Sequence, residues 1–264
     1  MQTEKIINHI TDWLRDYLNQ SKQKGFILGI SGGIDSAVVS ALCAKTGFPT
    51  LCLEMPIHQE INQVSRAKNH IEWLKQKFEK VENKTIDLTT VFDEFVKNVE
   101  KPESDYDYQL SLANTRARLR MTTLYYYAAV NGYLVAGTGN KIEDFGIGFF
   151  TKYGDGGVDI SPIGDLMKSE VYEVAKELGI ISEIQKAVPT DGLFGDNRSD
   201  EDQIGATYDE LEQAMKLYDE GKQKDEFSGR QREVFEIYTK RHLANLHKIN
   251  PIPVCEIPDE FKKQ

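Results

Sequence analysis

A doubly wound α/β fold, a mostly parallel sheet with helices on both faces, is what this 264-residue sequence predicts. Two observations carry the expectation. Short continuous apolar runs, of the kind a strand covered on both sides shows, alternate with segments of helical periodicity. The first such run, Phe26-Ile27-Leu28-Gly29-Ile30, passes into Ser31-Gly32-Gly33-Ile34-Asp35-Ser36 and then the helix-forming Ala37 to Lys45, which is the strand, loop, helix order of a parallel unit.

The chain opens with Ile6, Ile7, Ile10, Trp13, Leu14, Tyr17 and Leu18 on one stripe, a helix docked by one face and finished before Gly25. After the first strand and its helix, Thr50 to Glu54 reads as a second strand and Gln59 to Lys80 as a helix buried through Val64, Ala67, Ile71, Leu74 and Phe78. Lys84 to Leu88 reads as a third strand, followed by an acidic helix from Val91 to Glu100 and the polar break KPESDYDY. A long helix from Gln109 to Val130 leads to a fourth strand, Tyr133 to Thr138. Six glycines then fall between Gly139 and Gly157. A helix from Lys168 to Leu178 is closed by Gly179, and the stretch from Pro189 to Gly205 is too polar and glycine-rich to pack. Helices at Tyr208 to Asp219 and Phe227 to Ile249 precede the tail PIPVCEIPDEF. One domain spanning 1–264 is expected from the length, although the chain changes character after Gly139, and it holds no internal repeat or low-complexity tract.

With 32 Lys and Arg against 42 Asp and Glu, the net charge of -10 disfavours a nucleic-acid partner. Cys43, Cys52 and Cys255 form no CxxC pair and lie in or beside apolar stretches, so they read as buried, reduced thiols of a cytoplasmic protein rather than zinc ligands or a disulfide framework. No apolar run of about 18 residues suggests a membrane span, and the acidic, amphipathic opening is unlike a signal peptide.

The chemistry concentrates at the loop after the first strand. Ligands of open α/β sheets bind at the carboxyl edge. Gly32 and Gly33 let backbone N–H groups approach an anion, the next helix points its positive end there, and Ser31 and Ser36 add hydroxyls. The lysine of the GxxxxGK[ST] loop is missing, and Asp35 stands in a place where it would repel phosphates unless a divalent metal bridged them. The loop therefore implies a nucleotide with Mg²⁺. Thr138 and Glu143 follow the fourth strand and belong to the same edge if the sheet is parallel.

SGGIDS resembles the pyrophosphatase loop of the N-type ATP pyrophosphatases, which cleave ATP to AMP and pyrophosphate. A second stretch, GTGNKIEDFGIGFFTKYGDGGVDISPIGDLMKSEVYEVAKELG from Gly137 to Gly179, is similar to the NAD synthetases within that group. The resemblance runs over nearly the whole chain, with one more residue between Glu143 and Phe149 than the common spacing. It implies ATP at Gly29, Ile30, Ser31, Gly32, Gly33, Ile34, Asp35 and Ser36, with Thr138, Lys168 and Thr190 as further contacts. It implies Mg²⁺ on Asp35 and Glu143, and the acid substrate, nicotinic acid adenine dinucleotide (deamido-NAD), at Arg118, Lys152, Asp159, His247 and Lys248. Asp155 is placed where ammonia approaches. The implied reaction is amidation of the nicotinate carboxylate through an acyl-adenylate, in a homodimer.

The residues alone say less. Arg116, Arg118 and Arg120 share one helix, and such a cluster is ordinarily an exposed face; only the resemblance singles out Arg118. His242 and His247 are five apart, off the spacing of paired metal ligands. Tyr125, Tyr126 and Tyr127 point around the helix toward a core or a subunit interface. No serine or cysteine is set up as a nucleophile, and with only one helix before the first strand and a short tail there is no room for a glutamine amidase, so free ammonia is the expected nitrogen source. A nucleotide-binding sensor without turnover is the rival, and it would not need Glu143, Lys152 or the KYGDGG loop.

Overall fold

The computed structural model describes residues 1–59, 61–189 and 199–262, with backbone alone at 61–64. Four parallel strands, β1 (Gly25–Gly29), β2 (Thr50–Glu54), β3 (Val81–Thr85) and β4 (Tyr133–Val135), form one sheet in the order β3-β2-β1-β4. Because strand side chains alternate, Phe26, Leu28, Cys52 and Leu134 face one helical layer, while Ile27, Leu51, Leu53 and Val135 face the other. The first layer holds α1 (Thr3–Ser21), α2 (Ile34–Lys45), α3 (Ile61–Lys77) and α6 (Lys168–Leu178). The second holds α4 (Thr89–Asn98) and α5 (Asp105–Asn131). The doubly wound expectation is borne out.

A smaller apolar cluster lies beyond the carboxyl edge. It joins a π-helical turn, Lys141–Ile147, to α9 (Tyr208–Asp219) and α10 (Gly229–Ile249), with Tyr238 fully buried at its centre. Short helices α7 (Ser182–Gln185), α8 (Asp200–Ile204) and α11 (Asp259–Lys262) complete the described residues. Among these, no helix is long and apolar enough to cross a membrane.

Several elements differ from expectation for identifiable reasons. The third strand is Val81–Thr85, not Lys84–Leu88. It is an edge strand with only Val81 buried, so it lacks an apolar run, whereas Ile86 and Leu88 pack just after it. The long helix starts at Asp105 because Ser104 caps it, accepting from the Asp107 N–H at 3.2 Å. The fourth strand stops at Val135, though the parallel pairing continues as a bridge from Ala136 to Ile160. The polar stretch before Gly205 does pack in part: Asp200 and Ile204 of α8 are buried. Cys43 and Cys52 are buried as expected, and burial raises both thiols, Cys52 to about 12. Cys255 is exposed, because the proline-interrupted tail lies outside all three apolar clusters. Trp13 and Tyr17, expected in the buried stripe of the first helix, are 38% and 39% exposed and lie against each other.

Candidate active site

The loop between β1 and α2 is held by its own serines. The Ser31 hydroxyl accepts from the Gly33 N–H at 3.2 Å and lies 3.1 Å from the Ser36 hydroxyl, which donates to the Gly33 carbonyl at 3.1 Å. Gly32 sits at φ 83°, a left-handed conformation that suits glycine. The N-cap of α2, Gly33, has no side chain to spend on the first-turn amides, so they remain available to an anion.

Opposite this loop, three elements converge on one buried ammonium. Lys168, 3% exposed at the start of α6, reaches Asp35 Oδ2 at 2.6 Å and Glu143 Oε1 at 2.9 Å. Burial alone would lower the lysine pKa, but the two carboxylates outweigh it and raise it. The Tyr208 hydroxyl donates to Glu143 Oε1 at 2.5 Å, and its own pKa is raised by burial and by the charges of Glu143 and Asp200. Asn140, fully buried, ties the two acids together: its amide donates to Asp35 Oδ1 at 3.1 Å, and its Oδ1 accepts from the Glu143 N–H at 3.1 Å.

The segment from Glu143 toward Phe149 passes through the π-helical turn, whose hydrogen bonds span one more residue than those of an α-helix. The Phe149 N–H donates to the Glu143 carbonyl at 2.7 Å, closing the segment. From outside, α10 clamps this turn, with His242 Nδ1 2.6 Å from the Gly146 carbonyl and the Asn245 amide donating to Ile147 at 2.8 Å. His242 is therefore an anchor, in keeping with its poor spacing for a metal.

Two cavities meet at Ser31, Thr138 and Asp155. The larger, about 260 Å³, runs over the ends of β1 and β2 between Leu53, Met55, Leu124 and Val158. The smaller, about 180 Å³, is charged and is lined by the Ser31–Ser36 loop, Glu143, Asp144 and Lys168. Asp155 is exposed at the junction, and the protein packed around its carboxyl raises it above the ordinary range against the opposing pull of the Thr151 N–H, 3.0 Å away. A Cβ at Gly139 would lie 1.8 Å from the Asp144 carboxylate, so any larger residue there would have to displace that side chain.

The residues expected at the acid substrate divide into two groups. Arg118, exposed on α5, donates to the Lys152 carbonyl at 3.3 Å; the Lys152 ammonium donates to the His247 carbonyl; and Lys248 donates to the carbonyls of Gly148 and Phe150. These four form one rim. Asp159 stands apart from their contacts, accepting from the Tyr125 hydroxyl at 3.0 Å and the Val135 N–H at 2.8 Å. Thr190 lies outside the described residues. Sequence reasoning missed Tyr208, Asn140 and Arg120. Contrary to the exposed-face default, Arg120 is turned into the larger cavity, donating to the Met55 carbonyl at 3.1 Å and Gln59 Oε1 at 2.7 Å, while Arg116 stacks on Phe92 at 4.2 Å.

A glycine loop at the carboxyl edge of a parallel sheet, opening on a cavity apolar at one end and charged at the other, is the arrangement found in nucleotide-binding α/β proteins. Residues 6–251 match the NAD synthase family. The chain is 39% identical over 213 residues to an NH(3)-dependent NAD(+) synthetase from Carboxydothermus hydrogenoformans, covering 80% of this chain and 83% of the relative. Among solved structures it is similar to an NMN synthetase from Francisella tularensis, with 31% identity and a TM-score of 0.83 over 97% of this chain and 100% of that one. An NH3-dependent NAD synthetase from Campylobacter jejuni gives 27% identity and a TM-score of 0.77 over 97% and 100%. The chain belongs to the NAD synthase family.

Proposed function

We propose that the chain amidates nicotinic acid adenine dinucleotide with ammonia at the expense of ATP, forming NAD, AMP and pyrophosphate. The observation that carries this reading is the convergence of Asp35, Glu143 and Lys168 beside the Ser31–Ser36 loop, in a charged cavity of about 180 Å³ that joins an apolar one of about 260 Å³. A carboxylate is a poor electrophile with no leaving group, so it has to be activated first. In this reading the nicotinate oxygen attacks the α-phosphorus, pyrophosphate departs, ammonia adds to the acyl-adenylate carbon and AMP leaves. The loop amides and Lys168 hold the charge that develops on the leaving group.

The donor set suits Mg²⁺. Asp35 and Glu143 offer hard oxygens that already converge on one cation, the Lys168 ammonium, and among the described residues no group of three or more His, Cys, Asp or Glu is arranged to hold a metal by itself. Two carboxylates plus phosphate oxygens is the usual way such an ion is held. Bound there, Mg²⁺ would neutralise phosphate charge and make pyrophosphate a better leaving group.

Asp155 is the base that receives the ammonium proton. Its raised pKa sets the sign of the pH response: the ionised, accepting form is lost as pH falls, and it is lost above the ordinary carboxylate range. The acid limb of kcat/KM for ammonium should disappear in Asp155→Asn, and an unchanged profile would remove Asp155 from the chemistry.

A homodimer completes the reading. Exposed Tyr106, Tyr126 and Val130 on α5 and Val91 and Phe95 on α4 are what an interface would cover. Light scattering should give twice the 30.0 kDa chain mass; a fully active species of single-chain mass would contradict it.

A second reading keeps the reaction and shortens the acid to the mononucleotide. The likeness to the NMN synthetase favours it. Comparing kcat/KM for nicotinic acid dinucleotide and mononucleotide, with ATP, Mg²⁺ and ammonium, separates the two: the first reading requires the dinucleotide to be preferred.

A further inference from the structure

We propose that Glu54 reads the adenine base, its Oε1 accepting a hydrogen bond from the exocyclic amine, and so sets the preference for ATP over purine nucleotides that lack that amine. The inference rests on the ATP site proposed above.

Glu54 is the last residue of β2, the strand beside β1, from whose end the phosphate loop springs. The two strand ends are locked in register, the Ile30 N–H donating to the Leu53 carbonyl at 2.8 Å. The side chain of Glu54 is 5% exposed, an unusual place for a carboxyl group. One of its oxygens is accounted for. Oε2 accepts from the Thr85 hydroxyl at 3.0 Å and the Asn83 amide at 3.4 Å, its cross-strand neighbours on β3. Oε1 is buried with no hydrogen-bond partner among the described residues, although Glu54 lines the larger cavity.

A buried acceptor left unmade is unfavourable, so an occupant that donates there is selected over one that does not. The cavity that Glu54 lines has Leu53, Met55, Ala67 and Leu124 among its walls, surfaces that suit the faces of a planar base, whose amine would meet the unpartnered Oε1. Arg120, which lines the same cavity, is already committed to the Met55 carbonyl and Gln59 Oε1. With the triphosphate on the phosphate loop one strand away, the base end of the nucleotide is the part that reaches β2. Ribose hydroxyls are also donors, but they lie closer to the phosphates than the amine does.

The test compares kcat/KM for ATP, purine ribonucleoside triphosphate (ATP without its amine) and 2′-deoxy-ATP, in the full chain and in Glu54→Leu and Glu54→Gln. The full chain should prefer ATP over the desamino nucleotide by about ten- to a hundred-fold, the usual value of a hydrogen bond to a charged acceptor. Glu54→Leu should abolish that preference, Glu54→Gln, which keeps a neutral acceptor, should retain part of it, and the 2′-deoxy-ATP ratio should not move. A purely structural role for Glu54 would lower all three substrates together. If Glu54→Leu does not fold, the decision rests on Glu54→Gln, whose ATP preference has to fall several-fold. An unchanged amine preference, or a change confined to 2′-deoxy-ATP, overturns the assignment of Glu54 while leaving the ATP site standing. No ATP-dependent turnover in the parent chain defeats both.

Discussion

Asp35→Ala and Glu143→Ala should each lower kcat by about 10² to 10³ while leaving the fold intact, the usual cost of losing one preorganised charge contact at a developing leaving group. Both acids project from the carboxyl edge, Asp35 from the first turn of α2 and Glu143 from the π-helical turn, and their oxygens meet at Lys168. Two carboxylates and one ammonium carry a net charge of about -1, so removing either acid leaves a neutral pair rather than an orphaned charge. Stability should therefore change little. Steady-state kinetics across a Mg²⁺ titration, with a urea melt as control, checks the point; either variant keeping more than about a tenth of the parent activity would remove that residue from the metal site.

Lys168→Met should have the opposite balance, with a large loss of stability as well as of activity. It leaves Asp35 and Glu143 facing each other, 17% and 15% exposed, with Asn140 and Tyr208 as their remaining side-chain partners among the described residues. Removing one partner of a buried ion pair costs about 3–5 kcal/mol, and the residual exposure of the acids puts this case at the lower end. A dication should replace the missing ammonium, so Mg²⁺ should raise the urea midpoint of Lys168→Met more than that of the parent. A variant as stable as the parent, with no response to Mg²⁺, would contradict the view of Lys168 as the internal counter-ion of these acids.

The parts of this site that lie on contiguous sequence were legible in it. The glycine loop flanked by a strand and a helix has a local pattern, and Thr138 and Glu143 follow from the same edge rule once the sheet is parallel. Edge strand β3 was misplaced because Val81–Thr85 is polar on both faces, and the period that marks a strand is absent there. The π-helical turn at Lys141–Ile147 was not legible either, because no local residue pattern between Glu143 and Phe149 marks such a turn. Asn140, Tyr208 and Arg120 were not legible at all. Each acts through partners distant in sequence, Asn140 on Asp35, Tyr208 on Glu143 and Arg120 on Met55, and no spacing rule brings such pairs together. Conversely, the arginine-rich face of α5 looked uniform in sequence, and only its packing separates Arg116 on Phe92, Arg118 at the rim and Arg120 in the cavity.

The central claim is that the carboxylate of the acid substrate attacks the α-phosphorus of ATP before ammonia arrives. The direct measurement is to label both carboxylate oxygens of nicotinic acid adenine dinucleotide with ¹⁸O, react it with ATP, Mg²⁺ and ammonium, and weigh the products. The account predicts that each NAD formed is matched by one AMP carrying a single ¹⁸O in its phosphate, with pyrophosphate unlabelled. Label in pyrophosphate or inorganic phosphate, or formation of ADP in place of AMP, would contradict it.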